Sequence, residues 1–157
     1  MSLHRYGAGV IWQRKAAEKF SDNRYSRAHR WRFDGGLEIA ASSSPLNVPL
    51  PLSDAAAVDP EEAFVAALAS CHMLFFLSYA ASAGYVIDEY EDQPEGLMGP
   101  DADGRAAMLT VTLRPRVRWQ DGRAPSAEDH EALHERSHRD CFLANSVRCD
   151  VRVELRD

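Results

Sequence analysis

Three cysteines, at positions 71, 141 and 149, are the residues of this 157-residue chain best suited to covalent or redox chemistry. No two are spaced as CxxC, and an odd count does not build a closed disulfide framework or a zinc ribbon, so each thiol is judged alone. Cys149 falls on the apolar side of the alternation Val147, Cys149, Val151, Val153, Leu155, the setting of a small buried hydrophobe without chemistry. Cys71 has Phe64, Ala67, Leu68, Leu74, Phe75 and Ser78 at helical spacings, and pattern alone gives it the profile of an inert core cysteine. Cys141 opens CFLANSV after a charged helix, a helix-to-strand junction where a thiol can be exposed and mobile. One other motif bears chemistry: His134-Glu135-Arg136-Ser137-His138 is an HExxH that would hold zinc through His134 and His138, with Glu135 as general base. Its flanks, EDHEAL and RDC, are polar all round and no third ligand follows at a suitable spacing. A solvated helix face is the stronger account, zinc hydrolysis the weaker alternative, and neither metal nor cofactor is expected.

The elements that must position these residues are legible in the same pattern. Residues 4–13, 26–33 and 37–41 read as a strand meander, with Asp34-Gly35-Gly36 turning between the last two. A Ser- and Pro-rich connection, 42–58, leads to the longest apolar element, Pro60 to Ala83, with Asp59 as its cap, Pro60 at the first helical position and Gly84 at its stop. A helix so apolar on every side is buried on most faces, which predicts a partner subunit covering what one sheet cannot. Strands are expected at 85–92 and 106–119, with Pro115 ending or bending the second. A polar helix over 127–140, opened by Ser126 with Asp129 three residues on, is placed at the surface. The alternation from Val147 to Leu155 is a half-buried final strand. The sum is an α+β fold, antiparallel strands around a long central helix, in one domain over 1–157.

Composition excludes several functions. At 45% hydrophobic and 27% charged residues the chain has the makings of a folded domain rather than a disordered one. A formal net charge of −6 argues against nucleic acid, whose phosphates call for clustered Lys and Arg. The opening MSLHRYGAGVIWQRK lacks a signal-peptide core, and no run of about 18 apolar residues suggests a membrane span, so a cytoplasmic protein without a membrane partner is expected.

DPEEAFVAALASCHMLFFLSYAASAG (59–84) together with CFLANSV (141–147) resembles the OsmC/Ohr family of organic hydroperoxide reductases. YSRAHRWRFDGG (25–36) and SSSP (42–45) stand where that family carries its first meander and its connection to the central helix, so the match spans nearly the whole chain. His72, directly after the cysteine, resembles the OsmC-like branch more than the Ohr branch. The resemblance implies an intertwined homodimer with two active sites at the subunit interface. It makes Cys71 the attacking cysteine and Cys141 the resolving one. It matches the family's arginine to Arg27, with Arg24 as the alternative, and its glutamate to Glu61. The implied activity is a thiol peroxidase acting on organic hydroperoxides, with hydrogen peroxide left open, regenerated by an external dithiol.

The physics of such a site makes further demands. A thiolate is the nucleophile, and an ordinary cysteine is only about 3% ionised at pH 7, so an attacking cysteine in apolar surroundings needs a cation beside it. Guanidinium keeps its charge when desolvated, and Arg27 can supply it with Glu61 as a bidentate orienter. Glu61 and Cys71 are ten residues apart, about 15 Å along a regular helix, so either the helix breaks or the partner subunit supplies one group. Met73, Phe75, Phe76, Tyr79 and Phe142 flank the two thiols and can form an apolar pocket. A redox sensor that uses Cys71 stoichiometrically, or a ligand-binding dimer of the same fold, is the competing reading. The roles of His29 and His72 are open.

Overall fold

Asp59 and Glu62 close a reciprocal box at the start of the longest element: the Glu62 amide donates to Asp59 Oδ1 at 2.8 Å and the Asp59 amide to Glu62 Oε2 at 3.2 Å. In the structure, a computed structural model describing residues 2–156, this box opens helix α1, Pro60–Ser82, and Gly84 ends it at a φ of 84°, a conformation that favours glycine. Met1 and Asp157 lie outside the described residues. Two units divide the chain, residues 1–63 and 64–157.

The first unit is a three-stranded antiparallel meander of β1 (Ala8–Ile11), β2 (His29–Phe33) and β3 (Glu38–Ala41), with Val10 opposite Trp31 and Trp31 opposite Ile39. These strands are shorter than the sequence pattern suggests, because residues 12–28 fold into a loop instead of continuing β1 and β2. That loop carries Arg24 and Arg27.

The second unit holds the length of α1 from Phe64 onward and two small sheets. One pairs β4 (Ile87–Asp92) with β7 (Pro115–Trp119); the other has the order β5 (Glu95–Pro100), β6 (Ala106–Leu113), β8 (Asp150–Val153). Pro115 does break the 106–119 run, and the two halves enter different sheets. Strand β5 is invisible to the sequence pattern because its glycines read as breakers. Here they permit close packing: a Cβ on Gly96 would lie 2.7 Å from Val65 Cγ2, and one on Gly99 2.9 Å from Leu109 Cδ1. All pairs are antiparallel except β6 with β8, which run parallel with Val111 opposite Val151. Helix α2, Ala127–Asp140, follows the Ser126 cap, whose side chain accepts from the Asp129 amide.

Two core clusters share α1. Leu68 and Ala69 pack on Val111 and Leu113 of β6, joined by Cys149 and Val151; Phe76 and Ala80 pack on Leu133 of α2, joined by Tyr90, Val117 and Trp119. Burial of α1 is nonetheless less complete than its composition suggests. Leu68, Ala69, His72, Phe76 and Ala80 are its buried residues, whereas Leu74 is 60% exposed and lies on an open stripe with Ala67, Ser70, Ser78 and Ala81. By length and composition α1 is also long and apolar enough to cross a membrane, contrary to the expectation of no such segment, and only 28% of its most apolar window is buried within the chain. A core helix can be as long and apolar, and the polar side chains of α1 are tied to α2 as described below.

Candidate functional site

The second unit brings two thiols together. Cys71 is half-buried in the middle of α1, and Cys141, at the C-terminal cap of α2, is 1% exposed; both are free thiols. The exposed, mobile thiol read from the helix-to-strand junction is therefore corrected. The 3-10 turn Ala144–Ser146 folds back over Cys141, whose Sγ accepts from the Ala144 amide at 3.4 Å. Burial pushes the Cys141 thiol up to about 11, and its hydrogen-bonding contact with the Cys71 side chain adds to the rise. At neutral pH Cys141 thus keeps its proton.

Around the pair, Phe75 meets Phe142 edge-on with centroids 4.9 Å apart, and Phe142, next to Cys141, is 65% exposed. Phe76 does not join them: it is fully buried, its ring stacked on that of His134 at 4.0 Å, so it belongs to the core. Tyr79 donates to Asp140 Oδ2 at 2.7 Å with the Arg136 guanidinium 3.8 Å over its ring. That bond, aided by Arg139 and Arg136, holds the Asp140 carboxyl below the usual range. Cys149 packs beside the Leu68 and Val111 cluster as a small hydrophobe.

The first unit brings Arg27 and Glu61 to the wall of one cavity of about 520 Å3, shared with Trp12, Phe20, Tyr25 and His29. Arg27 is thoroughly fixed. Its amide donates to the Leu52 carbonyl at 2.8 Å, and its guanidinium lies 3.8 Å over the Tyr25 ring and donates to Asn23 Oδ1 at 2.8 Å and to the carbonyls of Asn23 and Tyr25. His29 Nε2 accepts from the Trp31 indole at 3.0 Å, so its Nδ1 carries the proton and donates to the Arg27 carbonyl at 2.7 Å. Arg24, by contrast, is exposed and does not line the cavity. Glu61 Oε1 accepts from Asn47 Nδ2 at 3.1 Å, while its Oε2 is buried with no hydrogen-bond partner among the described residues. The bidentate contact between Arg27 and Glu61 expected from the sequence is therefore not made within the described residues of this chain, because Asn23 and Tyr25 take up the guanidinium instead.

The HExxH helix face is not solvated. His134 is 3% exposed, its Nδ1 2.9 Å from Nε2 of the equally buried His72 and its Nε2 3.2 Å from Nε2 of His130. Each contact needs one N–H and one lone pair, which neutral imidazoles supply as a chain. Both ring nitrogens of His134 are thereby engaged, and among the described residues no three His, Cys, Asp or Glu side chains converge as metal ligands. Burial lowers His72 to about 4 and His134 to about 3, with neighbouring histidines adding to each. The sign follows directly: below about pH 6.5 the unfolded chain takes up protons that the folded chain refuses, so stability falls with pH, by up to about 1.4 kcal/mol per unit for each histidine. The thermal midpoint is expected to drop between pH 7 and pH 5, and less steeply in His134→Phe; equal midpoints at the two pH values would contradict this. Spacing alone shows His130, His134 and His138 on one helix face, but His72, the partner of His134, lies 62 residues away in sequence and leaves no local signal. The same holds for Tyr79 with Asp140 and Asn47 with Glu61.

Residues 53–156 match the family model described as OsmC-like protein. The chain belongs to the OsmC-like family. A solved OsmC-like protein of unknown function from Vibrio cholerae shares 48% identity over 98% of this chain and all of its own, with a TM-score of 0.96. More distant OsmC-like folds include an organic hydroperoxide resistance protein OsmC from Legionella pneumophila, at 17% identity, 99% and 97% coverage of the two chains and a TM-score of 0.69. OhrB of Bacillus subtilis, an organic hydroperoxide resistance protein, gives 20% identity, 99% and 100% coverage and a TM-score of 0.66. No curated protein matches the chain. OsmC-like membership agrees with the α+β composition of largely antiparallel sheets and a long helix.

Proposed function

We propose that this protein is a thiol peroxidase that reduces organic hydroperoxides, with Cys71 as the attacking and Cys141 as the resolving cysteine, regenerated by an external dithiol. The observation that carries the reading is the meeting of two free thiols from distant parts of the chain, one on α1 and one capping α2. The organic hydroperoxide resistance proteins among its fold relatives support it. In the first step the Cys71 thiolate attacks the distal oxygen of RO–OH. The O–O bond breaks, the alkoxide leaves and takes up a proton as alcohol, and the sulfur becomes a sulfenic acid, oxidised by two electrons. In the second step the Cys141 sulfur attacks that of Cys71. The S–S bond forms as S–O breaks, and the Cys141 proton leaves with the hydroxide as water. The dithiol then reduces the disulfide. Phe75 and Phe142 offer an apolar wall for the alkyl group.

The thiolate needs a cation, and the Arg27 guanidinium, which shares a cavity wall with Glu61, is assigned that role. Helix α1 runs unbroken from Pro60 to Ser82, which leaves Glu61 about 15 Å along its axis from Cys71. In this reading the site is completed in a homodimer, where the partner subunit's Arg27 and the partner subunit's Glu61 approach Cys71 and the second copy covers the open stripe around Leu74. A cytoplasmic setting fits an enzyme that must be re-reduced each cycle. With an excess of a small dithiol such as dithiothreitol, the purified protein is expected to consume tens of equivalents of cumene hydroperoxide per chain. Consumption that stops at one equivalent would point instead to a stoichiometric sensor.

A further inference from the structure

Helices α1 and α2 each place a cross-linking side chain next to a thiol. His72 follows Cys71 directly and bonds His134; Asp140 directly precedes Cys141 and accepts from Tyr79, two helical turns beyond Cys71. On α1, positions 72, 75 and 79 form one stripe, and it meets His134, Phe142 and Asp140 in turn. The two ties hold the end of α2 in register against the middle of α1. Asp140 is a fixed acceptor rather than a passing one, since Arg139 Nε reaches its Oδ1 at 3.2 Å and Arg136 Nε its Oδ2 at 3.9 Å. From this geometry we propose that Tyr79 and Asp140 are positioning residues for disulfide closure: their bond sets the effective concentration of the Cys141 sulfur at the Cys71 sulfur.

The inference rests on the Cys71 and Cys141 pairing proposed above but not on peroxide chemistry. Closing a disulfide inside a chain is favoured by whatever already holds the two sulfurs together, because the ordering is then not charged to the bond-forming step. By reciprocity, a bond that raises the tendency of the disulfide to form is itself strengthened once the disulfide is made. Loss of the Tyr79 hydroxyl leaves the ring, its contact with Phe75 and the Arg136 stack in place and removes the bond to Asp140.

The test uses the full chain in a Cys149→Ser background, equilibrated with buffers of reduced and oxidised glutathione, where two thiols of the chain and one glutathione disulfide give the chain disulfide and two glutathione thiols. The fraction closed is read by alkylation and intact mass. Tyr79→Phe and Asp140→Ala are expected to lower the effective concentration about tenfold, which for a two-electron couple is about 30 mV. Asp140→Asn, which keeps an acceptor oxygen for Tyr79, stays within about threefold of the parent. The double variant Tyr79→Phe with Asp140→Ala loses no more than either single change, the mark of one shared interaction. Unchanged closure in Tyr79→Phe and Asp140→Ala, or a fall in Asp140→Asn as large as in Asp140→Ala, would overturn the proposal. A parent protein that closes its disulfide in glutathione yet turns over no peroxide would defeat the peroxidase reading and leave this one standing.

Discussion

Replacing Cys71 by serine is expected to abolish peroxide consumption, with a loss of at least about a thousandfold, because a serine hydroxyl is almost wholly un-ionised at neutral pH and cannot be oxidised to a sulfenic acid. The change should cost little stability. Position 71 is half-buried rather than sealed, and serine fills nearly the same volume. Cys149→Ser is the control, since that sulfur packs with hydrophobes. The rate of cumene hydroperoxide loss under excess dithiothreitol, alongside the thermal midpoint, is the measurement. Activity retained in Cys71→Ser would remove the foundation of the mechanism.

Cys141→Ser is expected to fail differently. Its attack step stays intact, because Cys71 is untouched and a serine hydroxyl at position 141 can still hydrogen-bond with the Cys71 sulfur. The sulfenic acid then has no thiol to meet. With excess peroxide it takes up a second oxygen and becomes the sulfinic acid, which a dithiol does not reverse. Intact mass should show one and then two added oxygen atoms at Cys71, with activity falling to a small fraction of the parent's after the first turnover. Sustained cycling at the parent rate, with no added oxygen, would show that another group resolves the intermediate.

Much of this architecture follows from local sequence, and the remainder from contacts that sequence separation hides. The Asp59 cap, Pro60 and Gly84 bound α1 closely, and Ser126 bounds α2, since capping is chemistry between residues a few positions apart. Strand β5 escapes notice because Gly96 and Gly99, ordinarily breakers, are required where Val65 and Leu109 approach the backbone. The polar look of α2 hides a buried face of Leu133, His134 and Ser137, where His134 is satisfied in part by His72 on another helix. For the site, CFLANSV and the motif around Cys71 carry the resemblance that singles out both thiols. The burial of Cys141 could not be foreseen, because it depends on the 3-10 turn that folds over it. Of the two candidate arginines, only Arg27 lines the cavity with Glu61, a distinction made by the loop's hydrogen bonds and not by spacing.

The most direct test of the central claim is a thiol count before and after one equivalent of cumene hydroperoxide in the absence of reductant, with the oxidised pair located by peptide mapping. The account predicts that two of the three thiols disappear from each chain and that the new disulfide joins Cys71 to Cys141. Three thiols surviving, or a disulfide that includes Cys149 in place of either, would contradict it.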